Sequence, residues 1–206
     1  MIVKTYTRGE CRTNCHIAEG ENGKAVVFDP ADDGKGLARL LASMELVPDA
    51  IILTHAHIDH IAGLEDLLAA VGDVPVYIHE AEVPYLGSPM LNLSTLIMGQ
   101  PYTFGGKVQP VKDGDVIRAA GLCFKVIHTP GHTDGSSCFL TEDTLFSGDT
   151  LFGGTVGRTD FPHGDTETLM ASLQKLCALP DETRVFPGHM GETTIGREKR
   201  YNPFLA

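Results

Sequence analysis

The chain has 206 residues, with 16 Lys and Arg against 27 Asp and Glu, a net charge of −11 with histidine neutral. With 42% hydrophobic and 21% charged residues it has the balance of an ordinary globular protein with room for one substantial core, so residues 1–206 are expected to form a single domain. The acidic excess argues against nucleic acid or an anionic membrane as partner, because phosphate contacts need clustered Lys and Arg, yet it leaves a small anionic substrate open.

No apolar run approaches the ~18 residues of a membrane span, and residues 1–14 contain no apolar stretch of the kind found in a secretory signal. Five scattered cysteines, Cys11, Cys15, Cys123, Cys138 and Cys177, make no disulfide framework and point to reduced thiols in a cytoplasmic protein.

Strand-like runs come first, at residues 2–7, 14–18 and 25–28. After a turn at Asp32, Asp33 and Gly34, the residues Leu37, Leu40, Leu41 and Met44 recur at helical spacing. The all-apolar run 50–53 suits a strand buried on both faces. It leads directly into Thr-His-Ala-His-Ile-Asp-His, after which Ile61, Leu64, Leu68 and Val71 predict a second helix and residues 74–78 another strand. Residues 87–105 mix Gly, Pro, Ser and Asn with apolar side chains, as in a loop over a pocket or a crossover with its own small core.

The second half repeats the rhythm. Strands are predicted at Val116–Ala119, 122–127, 137–140 and 144–146. A helix follows, starting near Asp165 as N-cap and carrying Leu169, Leu173 and Leu176, and a last strand covers 184–186. Strands followed by helices, twice over, predict two sheets packed face to face with helices outside.

Placement makes the nine histidines informative. His55, His57 and His60 lie in His-x-His-x-Asp-His with Asp59, while His132, Asp149 and His189 stand in Pro-Gly-His, Ser-Gly-Asp and Pro-Gly-His. Each follows a strand-like run, and side chains at strand ends converge on one rim of a sheet. In extended chain His55 and His57 point to one side, so a single cation can take both. Asp59 and His60 fall where the chain turns into a helix and can reach a second cation, and the two oxygens of Asp149 suit it to bridge. Imidazole with carboxylate favours zinc, manganese or iron over calcium or magnesium. His16, His79, His128 and His163 lack this context and are read as structural or exposed.

These residues resemble the metallo-β-lactamase superfamily along nearly the whole chain. Thr129-Pro-Gly-His-Thr-Asp-Gly-Ser136, Ser147-Gly-Asp-Thr-Leu-Phe152 and Gly157-Arg-Thr-Asp-Phe161 look most like glyoxalase II-type hydrolases, and the ending 193–205 is similar to short bacterial members. The resemblance implies an α/β fold, a four-layer αββα sandwich. It implies two divalent metal ions, zinc first with iron or manganese as alternatives. Metal 1 would take His55, His57 and His132, metal 2 would take Asp59, His60 and His189, and Asp149 would bridge. Asp29, in Val-Val-Phe-Asp-Pro, looks like the residue that orients the histidine loop.

The activity implied is hydrolysis of an S-acylglutathione such as S-lactoylglutathione by a hydroxide held between the metals, with Asp59 and Asp149 in the catalytic centre. The substrate implied is a small anionic thioester, and Arg158 and Arg197 are candidates to meet its carboxylates. Two departures matter: the helical domain of full-length glyoxalase II is expected to be missing, and His60 and Asp149 differ from the best-known lactamase subclass, which argues against lactam hydrolysis. The alternative on the same scaffold is a glutathione persulfide dioxygenase with one iron held by two histidines and an aspartate.

Overall fold

A computed structural model describes residues 1–205. The first sheet is formed by β1 (Ile2–Arg8), β2 (Thr13–Glu19), β3 (Lys24–Phe28), β4 (Val47–Ile52), β5 (Val76–His79) and β6 (Gln109–Val111), hydrogen-bonded in that order. Its first three strands are antiparallel, and β3 to β6 run parallel. The second sheet begins with β7 (Val116–Ala119), β8 (Leu122–His128), β9 (Ser137–Thr141) and β10 (Thr144–Gly148). A small separate pair, β11 (Leu151–Phe152) and β12 (Thr155–Val156), comes next. The second sheet is then completed by β13 (Arg184–Pro187) and β14 (Thr193–Thr194), in the order β14-β13-β10-β9-β8-β7.

Alternation along the strands builds the layers. In β3 and β4, Val26, Phe28, Ala50 and Ile52 face the second sheet, where they meet Phe124, Val126, Phe139, Phe146 and Phe186. Their neighbours Ala25, Val27 and Ile51 face the opposite way, against Leu37 and Leu41 of α1 (Gly34–Ser43). This two-sided burial explains the uninterrupted apolar run at 50–53. The helix expected across 61–71 is broken into α2 (Ile58–Ile61) and α3 (Leu64–Val71), with Ala62 and Gly63 between them. The loop bends here because the Gly63 N–H is drawn to the Pro30 carbonyl at 3.0 Å.

Two four-residue helices, α4 (Val83–Leu86) and α5 (Ser94–Ile97), are too short to show a period and were not legible. In segment 87–105 Phe104 is buried in the same core as Tyr85 and Leu86 and not in a small core of its own, while Ile97 and Met98 line a hollow, as in a loop over a pocket. On the far face of the second sheet, Leu169, Leu173 and Leu176 of α6 (Thr166–Cys177) pack on Cys138, Leu145 and Val185. Ile195 of α7 (Ile195–Tyr201) joins them. Asp165 caps α6 as expected, accepting from the Thr168 N–H at 2.7 Å. The outcome is the αββα sandwich. Among the described residues no helix is long and apolar enough to cross a membrane.

Strand direction then delivers the functional side chains. β3 and β4 are parallel and lead into Asp29 and His55. In the second sheet β8 and β10 are both antiparallel to β9, and β13 is parallel to β10, so β8, β10 and β13 share one direction. Their carboxyl ends lead into His132, Asp149 and His189 on one rim.

The inter-sheet core hinges on an aromatic stack. The Phe28 and Phe146 rings lie 3.9 Å apart and 9° from parallel. Replacing Phe28 by Ala is expected to cost about 3–5 kcal/mol, read as a lower midpoint in urea unfolding. A loss below about 1 kcal/mol would mean that the sheets close over the gap and that this stack does not carry the core.

Candidate metal centre

The rim gathers His55, His57, Asp59, His60, His132, Asp149 and His189. Their facing atoms form three overlapping groups, each within 4.8 Å: His55, His57 and His132; His55, His60 and Asp149; Asp59, His60 and His189. Asp149 is central. Its Oδ1 lies 3.4 Å from His60 Nε2, while its Oδ2 lies 3.5 Å from His132 Nε2 and 3.4 Å from His189 Nε2. Gly188 makes this approach feasible, since a Cβ there would run into Asp149 Oδ1 and His60 Cε1.

Each ligand candidate is held from behind. Asp29, in the left-handed region at φ 47°, accepts from the Thr54 N–H and the Thr54 hydroxyl at 2.7 Å each and from His60 Nδ1 at 2.9 Å. The Thr54 oxygen in turn stands 3.1 Å from His55 Nδ1, so that ring can donate to it and turn Nε2 into the site. His132 Nδ1 donates to the Arg158 carbonyl at 2.7 Å. Thr13 donates to Asp59 Oδ2 at 2.7 Å. The His189 loop is pinned by Asn14, whose amide donates to the Pro187 and Met190 carbonyls at 3.0 and 2.8 Å, and by His16, whose Nε2 donates to Pro187 at 2.9 Å.

Thr13, Asn14 and Thr54 were not singled out in the sequence, and His16 was read there as structural or exposed, without its partner. Thr54 carried a weak signal by adjoining the histidine motif. Asn14 and His16 carried none, because their partners lie 171 to 176 residues away. Of the other histidines, His16 is buried as a structural group, His79 stacks on His128 with centroids 4.0 Å apart, and His163 pairs with Asp134 at 2.8 Å on the surface.

Charge and burial compete throughout the centre. Burial pushes His55 well below the ordinary histidine range, and the neighbouring imidazoles push it further. Burial and His132 bring His57 down to about 3. Burial also opposes charge on His60, but Asp59, Asp149 and Asp29 outweigh it and lift the ring well above the usual value. His189 is lifted to about 9, burial being overcome by Asp149 and Asp59. Asp149 is buried too, yet His60 and His189 hold its carboxyl well below the usual range.

The donor set fits a divalent cation. Four buried atoms of the cluster lack any hydrogen-bond partner among the described residues: His55 Nε2, His57 Nε2, His60 Nε2 and Asp149 Oδ1. An unsatisfied buried polar group costs roughly 1–3 kcal/mol, and imidazole nitrogens with carboxylate oxygens are donors for zinc, iron or manganese.

Two hollows open on the side of Asp59 and His189. One, of about 300 Å³, is lined by Arg8, Cys11, Thr13, Asp59, Ile97 and Met98 among others. The next, of about 710 Å³, is lined by Cys11, Arg12, Asn14, His189 and Met190 among others. Arg158 lies on the other side of the centre, where its carbonyl accepts from His132 and Phe161 meets the His57 ring edge-on with centroids 5.8 Å apart. The Arg158 side chain pairs with Asp160 at 2.6 Å, stacks over Phe161 at 3.9 Å, and borders a separate hollow with Phe204. Arg197 is largely exposed and lies 3.9 Å from Glu198.

Comparison with known proteins gives the chain a family. The profile of the Metallo-beta-lactamase superfamily matches residues 8–189. An uncharacterized protein of Mycobacterium tuberculosis is 38% identical, covering 100% of this chain and 98% of that protein. The probable metallo-hydrolase YqgX of Bacillus subtilis is 36% identical over 96% and 94% of the two chains. The hydroxyacylglutathione hydrolase GloC of Haemophilus influenzae is 31% identical over 93% and 92%. Among solved structures, the BLEG-1 B3 metallo-beta-lactamase superposes with a TM-score of 0.94 at 38% identity, covering 99% of each chain. TTHA1623 in a di-iron-bound form gives 0.86 at 39% identity, covering 98% and 100%. ETHE1 from Myxococcus xanthus gives 0.81 at 32% identity, covering 98% and 84%.

The lifted histidines set a sign for metal uptake. His189, with its value near 9, holds a proton at neutral pH that a cation must displace. His60 is lifted as well, so apparent affinity for Zn²⁺ should rise with pH through the neutral range, with protons released on binding. Calorimetry in buffers of different ionisation enthalpy reads this directly. Uptake at neutral pH without proton release would contradict it.

Proposed function

The chain belongs to the metallo-β-lactamase superfamily and is a metal-dependent hydrolase, and we propose that it hydrolyses the thioester of an S-acylglutathione such as S-lactoylglutathione at a centre of two divalent ions. The observation that carries this reading is the position of Asp149, with one oxygen toward His60 and the other toward His132 and His189. On this reading His55, His57 and His132 hold one ion, Asp59, His60 and His189 hold the other, and Asp149 bridges. Zinc is the first candidate; the di-iron form of the related TTHA1623 keeps iron in view.

Two such ions would make hydroxide available at neutral pH and polarise the scissile carbonyl. The chain's own side chains do the rest. Asp29 and Thr54 keep His60 and His55 turned inward, and the Arg158 carbonyl does the same for His132. Thr13 steadies Asp59 beside the hollow that Arg8 and Ile97 line. A thiol leaving group with pKa near ~8.5 departs without strong acid assistance. Glutathione carries two carboxylates, and the cations that border the hollows beside Asp59 and His189 are Arg8 and Arg12. They are better situated for these carboxylates than Arg158, which is paired with Asp160, or the exposed Arg197. The likeness to a hydroxyacylglutathione hydrolase supports the substrate class.

A glutathione persulfide dioxygenase is the second reading, favoured by the proximity of His132 and Asp149 at 3.5 Å beside His55 and His57, donors that suit one Fe²⁺. The purified protein should be assayed against S-lactoylglutathione, other S-acylglutathiones, a thioester lacking glutathione and a β-lactam, with oxygen uptake followed on glutathione persulfide. Fastest turnover of the glutathione thioesters is expected. Oxygen uptake without thioester cleavage, or preference for the lactam, overturns the thioesterase reading.

Asp149→Ala is expected to lower bound metal at both groups and bring thioester turnover to background, read by elemental analysis beside the assay. Two ions retained per chain would mean that Asp149 does not bridge.

A further inference from the structure

Glu82 is an acidic side chain that is fully buried, with 0% of its surface exposed. It lies just beyond β5, at the entry to α4. Its carboxylate is not part of the His and Asp cluster. Instead Oε2 accepts the Ala56 N–H at 2.7 Å and Oε1 accepts the Gly135 N–H at 2.9 Å. Ala56 sits between His55 and His57, and Gly135 sits three residues after His132. One carboxylate thus joins the two loops that carry all three imidazoles of the first group, one loop from each sheet.

Three further observations agree. Gly135 leaves the space that Glu82 occupies: a Cβ there would stand 2.7 Å from Glu82 Cγ and 3.0 Å from Oε1. Tyr85, from the same short segment, donates to Asp134 Oδ2 at 3.0 Å and grips the His132 loop a second time. Burial pushes the Glu82 carboxyl up to about 7 although the backbone N–H groups favour its charge, so the fold keeps this group at a cost.

We infer that Glu82 is a positioning residue for the metal centre, its carboxylate fixing the spacing between the His55–His57 loop and the His132 loop so that the three imidazoles can close on one ion. The inference rests on the reading of those histidines as ligands of one metal. Glu82→Gln keeps the shape but turns an amide NH₂ toward a backbone N–H, so one of the two contacts is lost. Gly135→Ala retains the Glu82 carboxylate but sets a methyl against its Cγ, its Oε1 and the Glu82 backbone N, so the contact on the Gly135 side must open; it serves also if Glu82→Gln does not fold.

Wild type and both variants are titrated with Co²⁺, following the visible bands and the number of ions bound, with chelator competition for affinity. The variants should lose affinity at the first group by about 10- to 100-fold while the Asp59, His60 and His189 group keeps its ion. Wild-type affinity at both groups, or equal weakening at both together with a lower melting temperature, would overturn the positioning role. A wild-type chain that binds no ion would instead overturn the metal-centre reading on which it stands.

Discussion

The structure depends on the carboxylate of Asp29, which organises the rim from underneath. Five rings and two carboxylates cannot be brought within a few ångströms unless their outer atoms are tied down. Asp29 does this for the most buried part of the cluster, taking three donors on two oxygens: the Thr54 N–H, the Thr54 hydroxyl and His60 Nδ1. Through the Thr54 oxygen the same grip extends to His55. The left-handed backbone at Asp29 lets the chain leave β3 and still turn its side chain under the next strand. Orientation is thereby settled before a cation arrives, which is how outer hydrogen bonds tune a metal site.

Much of the layer structure was legible because burial obeys a period of two. Residues 50–53 read as a strand covered on both sides, and Ile52 and Ile51 do face opposite cores. The amphipathic stripes of α1 and α6 were equally clear. The elements that escaped notice are those whose information is not local. Strand β6 and helix α5 have three and four residues, too few for any periodicity, and they exist because neighbouring elements offer them an edge or a pocket.

The same division holds in the centre. His-x-His-x-Asp-His and the glycine-flanked His132, Asp149 and His189 could be found by inspection, since metal ligands need particular side chains at strand ends. What holds them could not. Asn14 and Glu82 act on backbone groups, and a backbone carbonyl or N–H has no identity in a sequence. Arg158 shows what proximity along the chain leaves open: it follows Asp149 by nine residues, and its carbonyl faces His132 while its guanidinium pairs with Asp160 over the Phe161 ring.

The site is also a seam. Each of its outer groups takes two members from the loops of the first sheet and one from the second: His55 and His57 with His132, Asp59 and His60 with His189. An ion held there is a cross-link between the halves of the sandwich, and its binding energy is shared with their docking. At 100 times its dissociation constant a ligand that binds only the folded state adds about 2.7 kcal/mol to stability. Chelation therefore does more than disarm such a centre; it loosens the apposition of the two sheets, and the cell's supply of metal becomes a determinant of how long the folded chain persists.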